Sequence, residues 1–553
     1  MKGATMLRYT GNPFMDAALS ALTAAAELTD VVEIDSDDLK SATERLKDVL
    51  LSDSALGIGV ERSFNRGSLS QIFPNSKLVN PSVKDPKKAK EEYKKLLNGL
   101  LSKSMESGDK SCPICGQRFR EGEQKVKADK FPLLRGISNF YPELSEGLEI
   151  CPLCALSIQF FPFSVLRAGE RGRLWFIHTQ NARLAIAIAK RFGWEHFERL
   201  VASRQTLDFH GSWDTSGEGG AVLSLFFHLI TEMPEHELSI FESPHPVTAY
   251  VFTNDNRIAY IRPIPVPNEI LMFIGRLRHE SSYALRRFHR ELLTIPRDLK
   301  GKKRGQRAGR VATVAWAILE KRPILGHALD HEQPYLWGGW VAHRTYLKEV
   351  RGMPAWKVNL LEDLGLKIAR SEERRKWVSA LRTESWHDLH GLFLRFVQEG
   401  WITHHDFYLI APPGGDLYLG EARDVLLAVL YEYENLERKG EEFTPYESEE
   451  ERPEPDEFYR RIEGIGARIV NSHPNPQRWT GELRRARRPQ GIRGVYLKAV
   501  ERDAMSWRDF TFLAPLEDMT SLYLRRDYLL AYLLDRLSLP PQEVEEEEVV
   551  QEV

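Results

Sequence analysis

The sequence has 553 residues, of which 42% are hydrophobic and 28% charged, so it is long enough for two or three domains with their own cores. No stretch approaches 18 consecutive apolar residues, and the first ten residues lack the basic and apolar segments of a secretion signal. This composition predicts a globular protein of the cytoplasm and argues against a membrane protein.

The net charge of −3 hides an uneven distribution of charge along the chain. Residues 441–457 hold nine acidic residues and one arginine, and residues 543–553 hold six acidic residues and no basic one. These two segments account for −14, so the remaining chain carries a net charge of +11. A basic body with acidic appendages fits a polyanionic partner, whereas the alternative is a solvated surface with unstructured acidic segments.

The predicted elements begin with a helix at Asn12-Pro13-Phe14, where Asn12 can serve as the N-cap and Pro13 suits the first helical position. Helices are also predicted over residues 17–28, 36–51 and 87–103. The intervening residues 56–81 are rich in Gly, Asn, Ser and Pro, which predicts a long ordered loop or a short hairpin.

Beyond the cysteine region, a helix is predicted over residues 181–192. Alternation around Asn254-Asp255-Asn256 predicts a hairpin over residues 247–263. Residues 269–294 are predicted to be helical, residues 297–310 form a basic loop, and the chain after about residue 355 is mostly helical. No internal repeat is apparent at a fixed period.

The predicted fold is an α+β N-terminal domain with a four-cysteine zinc module, followed by an all-α C-terminal helical bundle. The N-terminal domain is expected to span residues 1–350, with the zinc module inserted at 111–155. The helical domain is expected at 351–540 and an acidic disordered tail at 541–553.

The four cysteines lie within 43 residues and form two C-x-x-C pairs, Cys112 with Cys115 and Cys151 with Cys154. Two such pairs supply the four ligands of a closed tetrahedral zinc site. The spacer of 35 residues exceeds that of common zinc ribbons and carries four cations: Lys125, Lys127, Lys130 and Arg135. We expect one structural zinc ion, and a redox pair is the competing interpretation.

The run Tyr9-Thr10-Gly11-Asn12-Pro13-Phe14-x-Asp16, the alanine-rich helix after it and the paired C-x-x-C motifs resemble one known family in their order and spacing. That family is the large subunit of type I-B CRISPR Cascade, in the branch named for its CXXC–CXXC pair. The resemblance covers the first 155 residues by motif, and the rest by length and by the helical C-terminus.

The resemblance implies a subunit without nuclease activity that reads the protospacer-adjacent motif in double-stranded DNA, contacts the 5′ handle of the crRNA and supports R-loop formation. The implied partners are the crRNA, the target DNA, the backbone and small subunits of Cascade, and a separate helicase-nuclease that the complex recruits. It further implies that the C-terminal part resembles the small subunit, which can be translated internally from the same gene. Some relatives serve guided transposition rather than defence.

The first candidate contact surface lies at residues 62–77, where arginine, asparagine and glutamine offer hydrogen bonds to base edges. Gly67 would let the backbone approach DNA closely, and Lys77 suits a phosphate. The alternative is a polar surface loop that caps nearby helices. The residues expected to read a DNA motif are Arg62, Asn65, Arg66, Gly67, Ser68, Gln71 and Asn75.

Two further segments are predicted to bind phosphates. Residues 297–310 contain seven basic residues and one acidic residue, although a disordered solubilising loop would have the same composition. The last helical group is rich in arginine, with Trp479 and Tyr496 as candidate stacking partners; the alternative is helix-surface charge paired with acids such as Glu463 and Glu482. The phosphate-binding candidates are Lys300, Lys302, Lys303, Arg304, Arg307, Arg310, Arg484, Arg485, Arg487 and Arg488.

Two histidine clusters, at residues 387–390 and 404–406, lack the spacing of a zincin or of a paired-carboxylate site, and no phosphate-binding loop or nucleophile elbow is present. The chain is therefore not expected to be an enzyme. Two alternatives stay open: a metal-dependent nuclease that uses these histidines and aspartates, and an unrelated zinc-stabilised regulator that binds nucleic acid.

Overall fold

The computed structural model describes residues 7–79, 85–120, 122, 124–126, 131–132, 147–168, 173–211, 215–234, 237, 241, 245–254, 259–382, 386–412, 416–445, 450–516 and 518–538. The chain is mostly helical and divides into two compact units, Met1–Arg322 and Pro323–Val553. The domain boundary expected after residue 350 falls inside the second unit, and the expected acidic tail at 541–553 lies outside the described residues. Among the described helices, none combines the length and the apolar character needed to cross a membrane.

The first unit contains twelve described α-helices, short 3-10 and π segments, and six strands. The helices are α1 (Pro13–Ala25), α2 (Ser36–Leu50), α3 (Asp53–Leu56), α4 (Phe64–Gly67), α5 (Pro86–Lys103), α6 (Pro152–Ser157), α7 (Ala182–Ile188), α8 (Glu195–Ala202), α9 (Gly217–Glu232), α10 (Asn268–Glu280), α11 (Ser282–Phe288) and α12 (Gly301–Leu319). The strands are β1 (Lys110–Ser111), β2 (Arg118–Phe119), β3 (Val165–Arg167), β4 (Leu174–Thr179), β5 (Val247–Asn254) and β6 (Ala259–Val266).

The core of the first unit forms where α1 packs on an antiparallel sheet of order β3–β4–β5–β6. The ring of Phe14 lies 5.0 Å from that of Phe176 on β4 and 5.8 Å from that of Phe252 on β5. Strands β5 and β6 pair in register, which confirms the predicted hairpin. Aromatic rings at these distances favour tilted and edge-on packing, as observed here.

The start of α1 is held by a buried carboxylate. Asn12 caps the helix as predicted, and its side-chain oxygen accepts from the amides of residues 14 and 15. The carboxylate of Asp16 accepts hydrogen bonds from the Thr10 amide (2.6 Å), the Thr10 hydroxyl (2.9 Å) and the Gly11 amide (3.0 Å). Its other partner is Nε2 of His178 on β4, at 3.1 Å. This network ties the N-terminal motif to the sheet.

The segment predicted as a loop or hairpin, residues 56–81, is described as far as residue 79 and contains short helical turns there. Ser63 caps α4 with its hydroxyl, and a 3-10 turn follows at Leu69–Gln71. The Phe64 ring packs 5.2 Å from the rings of both Phe197 and Phe209. Burial of one large aromatic residue outweighs the turn-forming tendency of the surrounding polar residues.

Two pairs of partly buried histidines lie in or beside α8 and α9. The ring centroids of His196 and His210 are 4.8 Å apart, and those of His228 and His289 are 4.9 Å apart. Burial lowers the pKa of His210 to about 3, and neighbouring charges, with His196 foremost, lower it further. Burial also lowers the pKa of His289 to about 3, with a smaller contribution from His228. Both imidazoles are therefore neutral in the folded protein near pH 7.

This burial predicts a loss of stability in mild acid. A histidine whose pKa in the folded protein is below its unfolded value of about 6.5 must stay neutral for the protein to fold. Its contribution to the free energy of unfolding is therefore fully present above pH 6.5 and is lost as the pH falls toward 3. At pH 5 we expect each imidazole to cost about 1–2 kcal/mol in urea titrations. The variant H289Q should lose part of this acid sensitivity, whereas H279Q, at an exposed position, should keep it. Equal acid sensitivity in all three proteins would contradict the assignment.

The second unit contains a short N-terminal segment followed by ten helices. The segment holds α13 (Leu325–Ala328), α14 (Trp340–Glu349) and the paired strands β7 (Leu329–Asp330) and β8 (Tyr335–Leu336). The ten helices are α15 (Ala355–Arg370), α16 (Arg374–Leu381), α17 (Trp386–Gln398), α18 (His404–Ile410), α19 (Asp416–Lys439), α20 (Glu457–Ser472), α21 (Pro476–Arg485), α22 (Pro489–Glu501), α23 (Trp507–Leu513) and α24 (Met519–Ser538).

These ten helices are a tandem duplication of five, so the expectation of no internal repeat is wrong. Residues 389–430 align without a gap with residues 492–533, a spacing of 103, and fourteen of the 42 pairs are identical. The identical pairs include Ala-Pro at 411–412 and 514–515 and Arg-Asp at 423–424 and 526–527. We call α15–α19 the inner repeat and α20–α24 the outer repeat.

The structure repeats in the same register as the sequence. A capping box begins α18 at Thr403 and another begins α23 at Ser506, 103 residues later. A Cβ added to Gly365 of α15 would lie 2.8 Å from Val429 of α19, and one added to Gly466 of α20 would lie 2.2 Å from Tyr532 of α24. Residues 429 and 532 are 103 apart and the two glycines 101 apart, so both repeats close the contact between their first and last helices through a glycine, with a shift of two residues in the first helix.

Candidate metal centre and basic surfaces

The four cysteines converge in one cluster. Their sulfur atoms all lie within 4.8 Å of one another. Sγ of Cys112 is 3.9 Å from that of Cys154, and Sγ of Cys115 is 3.5 Å from that of Cys151. Four sulfurs at about 2.3 Å from one tetrahedral metal ion would be about 3.8 Å apart, so these distances fit a shared ion. They are too long for disulfide bonds, and all four cysteines are free.

Local structure places each pair of cysteines. The first pair lies in the turn between β1 and β2, where the Gly116 amide donates to the Cys112 carbonyl (2.8 Å) with φ +74° at Gly116. The second pair begins α6, and Cys151 is its N-cap residue. The amide of Cys154 donates to Sγ of Cys151 (3.3 Å), and the amide of Cys151 donates to Sγ of Cys112 (3.4 Å). Such amide–sulfur bonds stabilise thiolates.

The donor set determines what the cluster can do. Three of the four side chains are buried and Cys115 is partly so. Hydrogen bonds from the other thiols, first of all from Cys115, lower the pKa of Cys112. Hydrogen bonds with the other thiols, first of all with Cys112, raise the pKa of Cys154. A cation of charge +2 would hold all four as thiolates. Four protein ligands leave no position for water, so this set fits a structural ion rather than a catalytic one.

One of the four spacer cations lies next to the cysteine cluster. Lys125 forms an isolated antiparallel bridge with Glu149, close to the second cysteine pair. Lys110 on β1 pairs with the same glutamate. The other three spacer cations, Lys127, Lys130 and Arg135, lie outside the described residues.

The structure separates the predicted motif-reading residues into two groups. Asn65 is buried, and its Nδ2 donates to the carbonyl of Leu50 (3.2 Å). The hydroxyl of Ser68 donates to Asp208 (2.7 Å) and accepts from Arg167 (3.0 Å). Short helical turns point Asn65 into the core and place the partly buried Ser68 against Asp208 and Arg167, so both side chains already have partners within the fold. The residues that remain exposed are Arg62, Arg66, Gly67, Gln71, Asn75 and Lys77.

Gly67 and Lys77 differ in what surrounds them. A Cβ added to Gly67 would meet no atom within 4 Å, and its φ is not positive, so the described fold does not require glycine there. Lys77 lies 3.6 Å from Glu92, an exposed pair that contributes little to stability.

The predicted basic loop at 297–310 is mostly the first half of helix α12. Its first turn carries Lys302, Lys303 and Arg304, all exposed, and has neither an acidic residue nor a side-chain cap. In the described chain none of the three forms an ion pair. Arg307 is different, because it turns inward and donates to the carbonyls of Glu291 and Thr294 (3.0 Å). Burial lowers the pKa of Arg307, and its role is structural.

The last helical group contains paired and unpaired cations. Arg468 pairs with Asp509 (2.7 Å), and Lys498 pairs with Glu482 (2.9 Å). Trp479 and Tyr496 are buried, and Trp479 donates to a backbone carbonyl, so neither is available for stacking on a base. Four exposed cations for which no carboxylate partner is described lie at the end of α21 and just before α22: Arg484, Arg485, Arg487 and Arg488. Lys300, at the N-cap of α12, is also exposed, and Arg310 is partly buried.

His390 and His404 of the second unit have structural partners. Nδ1 of buried His390 lies 3.2 Å from Asp527. His404 is held between two carboxylates, with Nδ1 against Asp535 and Nε2 at 3.0 Å from Glu463. No sequence motif marks His178 of the first unit; its signal is the alternation along β4 that places it on the same face as Phe176.

No protein-family model, no curated protein and no solved structure matches the chain.

Proposed function

We propose that this chain is a non-catalytic nucleic-acid-binding protein whose first unit is held together by one structural zinc ion. The observation that carries the proposal is the first turn of α12, where three exposed cations surround the amide end of a 19-residue helix. The helix dipole makes cations unfavourable at that end, and nothing in the turn offsets them. A bound phosphate would reverse this cost, since free amides and cations both attract it.

A second surface supports the same role. The four exposed arginines at the end of α21 and just before α22 offer planar guanidinium groups, which suit bidentate contacts to phosphates. The exposed Arg62, Arg66, Gln71 and Asn75 retain the chemistry for reading base edges, without Asn65 and Ser68. Phosphate contacts would therefore position the nucleic acid, and one short segment would read its bases.

A more specific role follows from the resemblance to the large subunit of type I-B Cascade. In that role the chain would recognise the protospacer-adjacent motif in double-stranded DNA, contact the crRNA 5′ handle, support R-loop formation and recruit a separate helicase-nuclease. The paired C-x-x-C motifs and the Asn12-Pro13-Phe14-x-Asp16 run support this interpretation. Zinc is proposed over other ions because four thiolates form its common structural site.

The experiment measures duplex binding as a function of salt. Replacing Lys302, Lys303 and Arg304 with glutamine should weaken binding by a similar factor on every sequence. The slope of log K against log salt should also flatten by about 0.9 for each phosphate that the variant no longer neutralises.

A matched control removes the same charge from another helix. The triple variant K88Q/K94Q/K95Q changes three cations on α5. It should leave the salt slope close to that of the parent protein. If the α12 variant keeps the parental slope, or if both variants flatten it equally, the first turn of α12 is not a phosphate site.

A further inference from the structure

The outer repeat carries a positive surface where α21 ends and α22 begins. Four exposed arginines lie there within five residues, and no carboxylate partner is described for any of them. Glu482, earlier in α21, is already shared by Lys498 (2.9 Å) and Arg478 (3.5 Å). Like charges this close together repel each other and attract an anionic ligand. The arginine surface is defined by Arg484, Arg485, Arg487 and Arg488.

The first turn of α22 adds backbone donors to the arginine surface. Helices α20, α21 and α23 each begin with a side-chain cap, supplied by Asp456, Asn475 and Ser506. Helix α22 differs, because its N-cap residue Arg488 makes no capping hydrogen bond and its first turn holds no acidic residue. An anion at this position could accept hydrogen bonds from the backbone amides and pair with the arginines. The surface therefore offers two kinds of group that hold a carboxylate.

Contacts with α24 fix the distance from the arginine surface to the end of that helix. Nη1 of Arg526 donates to the carbonyl of Ala486 (3.0 Å), and the Tyr523 hydroxyl donates to the carbonyl of Arg487 (3.1 Å). Helix α24 ends at Ser538, twelve residues after Arg526. At a rise of 1.5 Å per residue, the end of the helix lies about 18 Å along its axis from the level of the arginine surface.

The sequence that follows α24 carries the opposite charge. Residues 543–553, which we call the acidic segment, contain six glutamates and no basic residue. Pro540 and Pro541 precede it, and two adjacent prolines disfavour continuation of the helix. At about 3.3 Å per residue, an extended chain takes Glu543 up to about 16 Å and Glu548 up to about 33 Å beyond Ser538. The arginine surface is therefore within reach of the acidic segment of the same chain.

We infer that the acidic segment binds the arginine surface of its own chain and competes there with nucleic acid. A guanidinium group can hold a carboxylate through two parallel hydrogen bonds. One exposed ion pair contributes little, but several pairs form together here, and the short connection keeps the acidic segment at an effective concentration on the order of millimolar. The competition rests on the proposed function, whereas the contact between the two parts of the chain does not.

The contact would make the arginine surface selective for polyanions of high charge density. A ligand must displace the acidic segment before it can bind the arginines. Duplex DNA carries one negative charge for each ~1.7 Å of its axis and releases condensed counterions when it is bound, so it can compete. A short or weakly charged anion lacks this advantage and would leave the acidic segment in place.

The first test uses no nucleic acid. A fluorescent peptide with the sequence of residues 539–553 is titrated with full-length proteins, and its anisotropy is measured. It should bind the variant E543Q/E545Q/E546Q/E547Q/E548Q/E552Q, whose arginine surface is vacant, and should bind the parent about tenfold more weakly, because the parent's own segment competes. Adding R484Q/R485Q/R487Q/R488Q to the six-glutamine variant should weaken binding by a similar factor. Adding K87Q/K88Q/K94Q/K95Q instead, which removes four cations of α5, should not.

The second test measures the affinity for duplex DNA. The six-glutamine variant should bind duplex about threefold more tightly than the parent, and this gain should vanish when the four arginines are also replaced. Equal peptide binding by the parent and the six-glutamine variant would overturn the inference. So would equal peptide binding after loss of the four arginines and after loss of the four α5 cations, or a gain in duplex affinity that persists without the arginines. If no protein binds duplex, the proposed function fails, and the peptide titration still decides whether the contact exists.

Discussion

Purified protein is expected to contain one zinc ion per chain, and C151S is expected to release it. Cys151 is the N-cap of α6, its sulfur accepts a backbone amide, and it faces the other three thiolates. Metal binding contributes about 10–16 kcal/mol to folding in small zinc peptides, so loss of one ligand removes a large part of that free energy here. We expect melting of the first unit to shift by on the order of 10 °C.

The measurement is metal content by mass spectrometry, alongside thermal melting with and without a chelator. A neighbouring variant, S111A, serves as the control, because the exposed Ser111 hydroxyl bonds only the Gly116 carbonyl near the cluster. It should retain its metal and its melting temperature. A metal-free protein with parental stability would exclude a structural ion, and iron in place of zinc would correct its identity.

The second large effect is expected from D16A. Removing the buried carboxylate leaves the Thr10 and Gly11 amides and the Nε2 of His178 without their acceptor in a partly buried site. Losing a buried charged acceptor with several donors costs about 3–5 kcal/mol. D16N should cost less, since its side-chain oxygen can still accept from some of these donors.

Urea denaturation followed by circular dichroism measures the difference. The control is D37A, at an exposed position in the first turn of α2, which should change the free energy of unfolding by less than about 0.5 kcal/mol. If D16A were as stable as D37A, the N-terminal motif would have to be explained by a ligand rather than by the fold.

Local signals predict the parts of the molecule that local chemistry decides. Asn12 caps α1 because a short polar side chain before a proline can reach the next amides. The four cysteines meet because each C-x-x-C pair already sets two sulfurs side by side. The β5–β6 hairpin follows from its alternation and its turn residues.

Residues whose outcome depends on distant packing could not be predicted this way. Glycines at 301, 305 and 309 favour a loop for the basic segment, but Arg307 bonds two carbonyls of a preceding segment, and one face of the helix after it is buried from Val311 onward. Asn65 has the chemistry of a residue that reads bases, yet one helical turn points it at the carbonyl of Leu50. Tertiary contacts override composition in both places.

The duplication is hard to predict for another reason. Only a third of the aligned pairs are identical, and the period of 103 residues exceeds that of familiar repeats. The clearest sign of it in the sequence is that the dipeptides Ala-Pro and Arg-Asp each occur twice, with the two occurrences 103 residues apart. The exposure of Trp507 could not be predicted from the sequence around it. It stands out only when it is compared with the buried His404 at the same position of the inner repeat.

The contacts of the two repeats also bear on how a chain of this kind could arise by gene duplication. Residues 323–350 already pack on α19, the last helix of the inner repeat, as α17 packs on α24, the last helix of the outer repeat. A tandem copy of the gene segment that encodes one repeat would therefore encode a helix surface that already packs on such a repeat. The copied repeat would need no new interface to pack against its neighbour. Selection could act afterwards on the outer copy, where Trp507 is 65% exposed and the corresponding His404 of the inner copy is 8% exposed.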